Sequence, residues 1–266
     1  MNIFFRELKA YRNSTIIWTV SLSLLAVVFL SMFPIFTKDV ETTRKLLENI
    51  PPVMASAVGL SIDSLFSIYG FMSWLLTFIT VAGAVQAMNL GVGVLSKEEA
   101  GKTADFLLTK PISRTKIIFQ KLLAILCLII ITNIIFCVIA FATAVAVSSI
   151  SFSVTTFILI LLKLILIQII FLALGFLLSV IIPKVKSSIT ISLPTVFTLF
   201  IIGTLGEVLN LESVRYISPF KFFDSNYIIS HNAYELKYLV IEFIFVTAAI
   251  TFAYFMYIKK DIKAAA

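Results

Sequence analysis

Six runs of apolar residues, each long enough to cross a bilayer as a helix, leave this chain very few possible folds. They extend from Ile16 to Phe36, Ile68 to Leu95, Ile117 to Val147, Val154 to Pro183, Ile189 to Leu205 and Tyr238 to Ile258. A hydrocarbon core about 30 Å thick is spanned by about 20 helical residues, give or take a few. The runs are apolar on every face, without the two-residue alternation of a membrane β-barrel, and lipid offers the backbone no other way to satisfy its hydrogen bonds. The expected fold is therefore all-α: a polytopic membrane protein, one domain over residues 1–266, built as a bundle of six transmembrane helices. With 60% hydrophobic and only 13% charged residues, a water-soluble globule is excluded.

Orientation follows from the placement of Lys and Arg. Assigning successive segments to opposite sides puts thirteen on one side, around Arg6 to Arg12, Lys97 to Lys116, Lys184 to Lys186 and Lys259 to Lys263, against six on the other. The richer side is read as cytoplasmic, which places both termini inside. The net charge of +7 then reflects topology, and without a continuous basic face there is no case for a nucleic-acid partner. Arg6, Lys9 and Arg12 precede the first run as in a secretory leader, but the run is too long for a signal core and no small-x-small site follows before Pro34, so it is expected to be retained. Residues 2–14 set Ile3, Phe4, Leu8 and Tyr11 at helical spacing with the basic residues largely on other faces, the pattern of an N-terminal amphipathic interfacial helix. Whether it only sets topology or also touches a partner is open.

Several chemistries are disfavoured. Gly101-Lys102-Thr103 matches the end of a phosphate-binding loop, but Ser96 stands where the leading glycine is required, Glu98 and Glu99 would repel phosphate, and a membrane helix leads in. His231 is the one histidine, so no His pair, Cys/His cluster or buried Ser/His arrangement exists for metal or hydrolytic chemistry. Cys127 and Cys137 lie ten positions apart in one span, about 15 Å along a helix, and cannot pair with each other. The chain is expected to bind no metal or cofactor of its own and to catalyse nothing.

Inside the spans, Gly83, Ala87 and Gly91 recur every four residues and would let a neighbouring backbone come close. Gln86 and Asn89 share a helical face, either for an interhelical hydrogen bond or to line a translocation path. Lys163 lies well inside the fourth run, where an unpaired charge costs at least about 2.5–3.5 kcal/mol, so it should face protein or water. Glu242 is a candidate partner at compatible depth, with snorkelling of both groups as the competing explanation. The loops at 37–67 and 206–237 are long; the first holds a charged amphipathic stretch, Val40 to Ile50, then Pro51-Pro52 and a weakly apolar run, Val53 to Ile62, too short to span. Either loop could lie at the interface or re-enter. Pro194 and Gly203 would permit a kink in the fifth span.

The segment 96–116, SKEEAGKTADFLLTKPISRTK, is the most distinctive. Its acidic start is followed by an apolar stretch, Phe106-Leu107-Leu108, that needs a surface to cover it, and Pro111 breaks the chain before a new helix begins near Ser113. The pattern Glu98/Glu99-x-Gly-Lys-Thr-x-x-Phe-Leu-Leu-Thr-Lys-Pro-Ile-Ser-Arg resembles the first cytoplasmic loop of type-2 ATP-binding-cassette exporter permeases. The leader at 2–14 and Ser218-Pro219-Phe220-Lys221-Phe222-Phe223 before the last span are similar to features of that family, and the six-span layout extends the likeness over the whole chain.

The resemblance implies a permease subunit in a bacterial plasma membrane, working with a second permease copy or a related permease and with a separate ATPase subunit that supplies the ATP and Mg site. It also implies that residues 97–114 form a coupling helix docked on that ATPase, with Lys97, Glu98, Glu99, Gly101, Thr103, Phe106, Leu107, Pro111 and Arg114 at the contact. Under it, Glu98 and Glu99 would meet basic residues of the partner, Phe106 and Leu107 would fill an apolar cleft, and Pro111 and Arg114 would stiffen and anchor the lever. Aromatic-rich spans with few charges suit a hydrophobic or amphipathic cargo such as a drug, lipid or antimicrobial peptide, although lipid-facing helices share that composition. On residues alone, an ion-coupled transporter or channel and a non-transporting scaffold or sensor subunit stay open.

Overall fold

The computed structural model describes residues 3–51, 55, 59, 60, 62, 64–100, 113–148, 150–182 and 185–259, with 98–100 as backbone. Among these residues every regular element is a helix. The long ones are α1 (Ile3–Ser31), α4 (Ile68–Ala100), α5 (Arg114–Val147), α6 (Val154–Ile181), α7 (Ile189–Val208) and α9 (Leu236–Lys259). Counting α1 together with α2 (Phe33–Lys38), these give six helices long and apolar enough to cross a membrane.

The leader and the first span form one uninterrupted helix, so residues 3–14 are the first turns of α1. Its buried residues Ile3, Glu7, Thr15, Thr19, Leu22, Ser23, Ala26 and Leu30 make one stripe at helical spacing, and the small ones, Thr15, Thr19, Ser23 and Ala26, let α5 approach. Pro34 lacks the N–H that would continue the ladder, and the chain turns at Met32 into α2. The short α3 (Val40–Glu48) is capped by Asp39, whose carboxyl is held below its ordinary pKa by the hydroxyl and backbone N–H of Thr42. Of the weakly apolar run 53–62, most residues lie outside those described.

At the centre α4 and α6 share the most extensive contact in the molecule. Glycines permit it. A methyl group on Gly91 would stand 2.4 Å from the Leu172 carbonyl oxygen, and one on Gly175 would stand 2.5 Å from that of Met88. Ala87, between Gly83 and Gly91, is fully buried. Ser113 caps α5 by accepting from the Lys116 N–H at 3.4 Å, and α7 runs through Pro194 as one helix.

Both described chain ends lie at the same end of the bundle as residues 97 and 114. Ile3 packs against Ile117, and Arg114 donates to the Ile258 carbonyl at 3.0 Å. At the far end, the connection from α7 to α9 folds back into the bundle. After Asn210 closes α7 in the left-handed conformation (φ 53°), it forms two short 3₁₀ turns, Glu212–Tyr216 and Pro219–Lys221, then α8 (Ser225–His231). Ser218 reaches the middle of α7, donating to the Leu199 carbonyl at 2.8 Å. Phe220 packs 5.1 Å from Phe171 and 5.5 Å from Phe200, and Phe222 stacks on Tyr238 at 5.4 Å. Gly203 and Gly206 make the room, since a methyl on either would fall 2.4 Å from Ser218 or Val214. The connection within 206–237 is thus a segment that re-enters the helix bundle rather than a surface strap.

Candidate functional site

Polar side chains gather at three levels of this apolar bundle. At the end carrying the chain termini, Glu7 of α1 is fully buried among cations. Its carboxylate pairs with Lys97 at the close of α4 and with Arg6 at 3.5 Å, and lies 3.9 Å from Lys121 of α5. Lys121, itself fully buried, also donates to the Val94 carbonyl at 2.6 Å, and Lys97 lies 4.5 Å over the Tyr11 ring. A buried acid is tolerated where cations and hydrogen bonds surround it, and here the cations come from both helices that flank the segment 98–112. Arg114 opens α5 on the far flank of that segment. Glu98 and Glu99 belong to the last turn of α4, their side chains outside those described; Gly101, Thr103, Phe106, Leu107 and Pro111 lie outside the described residues altogether.

Midway, a hydrogen-bonded chain crosses four helices. Thr19 meets Thr132 at 3.0 Å, Gln86 donates to Thr132 at 3.1 Å, Gln168 donates to Gln86 at 3.2 Å and to the Gly83 carbonyl at 3.3 Å, and Asn133 donates to Gln168 at 2.5 Å. Gln86 is thereby committed to its neighbours, and Gly83 has no side chain to block Gln168. Asn89 does not join the chain; its Oδ1 is buried and without a partner among the described residues.

The third level is a cavity of about 450 Å³ in the far half, between α4, α6, α7 and the re-entrant segment. Lys163 projects from α6 into its wall, about 14 Å from the start of that helix, and is 8% exposed. Its ammonium meets the Ser225 hydroxyl at 3.5 Å. Glu242 is not its hydrogen-bond partner: that carboxyl is buried elsewhere on α9, with Oε2 unpaired among the described residues. Of the other charges lining the cavity, the two cations have carboxylate partners, while Asp224 and Glu212 make no ion pair within 4 Å among the described residues. Lys221 pairs with Glu207, and Arg215 pairs with Glu235, donates to the Lys221 carbonyl at 3.0 Å and lies 4.5 Å over Tyr238. The wall is held by Asn232, left-handed at the end of α8 and accepting from Thr156 at 3.1 Å, and by Tyr234, which donates to the Leu159 carbonyl at 2.5 Å. Burial pushes the Tyr234 phenol's pKa up, so it stays a donor.

Sequence reasoning placed Lys163 in the interior but passed over Glu7, Thr132, Asn133 and Gln168. Glu7 carried a signal, being the one acid in a basic leader and four residues from both Ile3 and Tyr11 on its apolar face. Among the described residues no three His, Cys, Asp or Glu side chains gather to hold a metal ion.

Six helices fit to cross a membrane, a cavity opening among them at one end and buried ion pairs gathered at the other, are the build of a membrane transport component. The chain belongs to the ABC-2 family: the family model described as ABC-2 family transporter protein matches residues 1–262. It is accordingly a permease component of an ABC transporter and not itself catalytic. No curated protein matches the chain.

Proposed function

We propose that the chain is the permease subunit of an ATP-driven exporter in a bacterial plasma membrane. It acts as one of a pair of permeases, with both termini cytoplasmic, and moves a hydrophobic or amphipathic substrate such as a drug, lipid or antimicrobial peptide. A separate ATPase subunit binds ATP and Mg and docks on residues 97–114, with Glu98, Glu99, Phe106 and Leu107 at the contact. Family membership supports the pairing with an ATPase. The observation that carries the coupling is Glu7, which ties α1 to the end of α4 and the start of α5, the two helix ends that flank 98–112. A ligand can shift a conformational equilibrium only through contacts that differ between states, and a push on that segment reaches three helices through one carboxylate. Gln86, Asn89 and Lys163 remain the candidates for the translocation path, Lys163 having a cavity beside it.

The test is uptake into inverted membrane vesicles holding the chain and its ATPase. ATP should drive accumulation of a labelled amphiphile, and dissipating the ion gradients with ionophores should leave that accumulation intact. Uptake that needs no ATP and vanishes with the gradients would establish an ion-coupled carrier instead.

A further inference from the structure

The charges around the far cavity are unevenly satisfied. Lys221 has Glu207, Arg215 has Glu235, and the Asp224 carboxylate accepts from the Asn226 N–H at 2.9 Å. Lys163 is more than nine-tenths buried, has three protons to donate, and among the described residues hydrogen-bonds only the neutral Ser225 hydroxyl at 3.5 Å, the Asp224 and Glu207 carboxylates acting on it from beyond contact distance. Two more donors lining the cavity are buried with no partner among the described residues: the Trp74 indole Nε1–H, which cannot accept, and the Ser73 hydroxyl. Thr80 spends its proton on the Leu76 carbonyl at 2.7 Å. Among the described residues the cavity therefore holds a surplus of donors and one cation with no carboxylate within 4 Å of it. Beside them stand aromatic side chains, Phe200 of α7 and Phe220 and Phe223 of the re-entrant segment.

A buried cation inside the hydrocarbon thickness is costly and belongs at a functional position. An anion would complete what the protein leaves open, since a charge-assisted hydrogen bond to Lys163 is stronger than a neutral one and orphaned donors gain most from an acceptor. The volume, about 450 Å³, falls in the range of about 300–1,000 Å³ typical of small-molecule sites. The aromatic wall has no use for a bare inorganic anion.

We propose that this cavity binds an amphiphile with a single anionic headgroup, the headgroup on Lys163 and the donors of Trp74 and Ser73, the chain against Phe200, Phe220 and Phe223. This narrows the substrate class of the exporter reading and rests on it for transport, but binding itself needs only the folded chain.

The test uses the purified full chain in nanodiscs of zwitterionic lipid, with Trp18→Phe leaving Trp74 as the one tryptophan. Quenching of Trp74 by 11-bromoundecanoate is compared with quenching by the neutral 11-bromoundecanol. The carboxylate should quench saturably and the alcohol only in proportion to its partitioning. Lys163→Met should raise the half-saturating carboxylate concentration about tenfold or more, while Lys163→Arg, which keeps the charge, should retain the preference for carboxylate over alcohol. Inorganic phosphate at millimolar levels should not compete. Equal quenching by both probes, unchanged in Lys163→Met, would overturn the proposal, as would a Lys163→Arg variant indistinguishable from Lys163→Met. Competition by phosphate alone would make this a small-anion site and overturn the amphiphile. Because no nucleotide is present, loss of selective quenching sinks the ligand class without touching ATP-driven uptake, and loss of that uptake leaves the binding result standing.

Discussion

The two ends of the bundle treat buried charge in opposite ways. At the end bearing the termini, Glu7 is enclosed by Lys97, Arg6 and Lys121, and Lys121 is further bonded to a backbone carbonyl. At the far end, Lys163 is almost as deeply buried, and among the described residues its one hydrogen bond is to a hydroxyl, with no carboxylate within 4 Å. Compensated charge holds helices in register and resists loss of either partner, because the survivor would be left unpaired in a low-dielectric interior. Uncompensated charge beside a cavity spends stability on readiness for something that arrives. The first arrangement suits a joint that transmits force and the second a site that binds.

Truncating the joint should give the largest effect. Glu7→Ala removes the buried carboxylate that Lys97 and Lys121 share and should cost about 3–5 kcal/mol, seen as a collapse of the thermal unfolding midpoint in mild detergent. A variant as stable as the wild type would show that the cations are solvated and the joint is not one. Between the ends, Gln168→Leu removes a side chain that donates to Gln86 and to the Gly83 carbonyl and accepts from Asn133. It should cost about 1–2 kcal/mol in the same measurement, the scale of interhelical hydrogen bonds in membranes. The smallest loss belongs to the far end. Lys163→Met removes a charge the fold does not satisfy, so stability should be unchanged or should rise, by up to about 1–4 kcal/mol. Marked destabilisation by Lys163→Met together with tolerance of Glu7→Ala would invert the comparison.

Much of this architecture is legible in the chain because lipid simplifies the code: a long run apolar on all faces can only be a helix, and a lone Lys163 within such a run must turn inward. Other features are hidden by the same simplicity. When a helix is apolar all round, sequence does not say which side of it is inside, so Thr132, Asn133 and Gln168 look like isolated polar residues until α4, α5 and α6 are packed. Nor does composition distinguish an interfacial leader from the first turns of a span, because Asn13, Ser14 and Thr15 do not break α1. The re-entrant segment is hidden for a different reason. Its short 3₁₀ turns have no periodicity, and its burial depends on the notches at Gly203 and Gly206, which read in sequence as ordinary small residues.

The proposal that this permease couples to a separate ATPase through residues 97–114 is tested most directly by affinity purification from native membranes in mild detergent. Wild type is compared with a Glu98→Arg/Phe106→Ala double variant, and co-purifying nucleotide-binding subunits are identified. Recovery of an ATPase with the wild type and its loss with the double variant, at equal permease yield, is the predicted result. Equal recovery with both would place the drive elsewhere on the chain, and a wild type that brings down no ATPase from membranes shown to contain candidates would contradict the account.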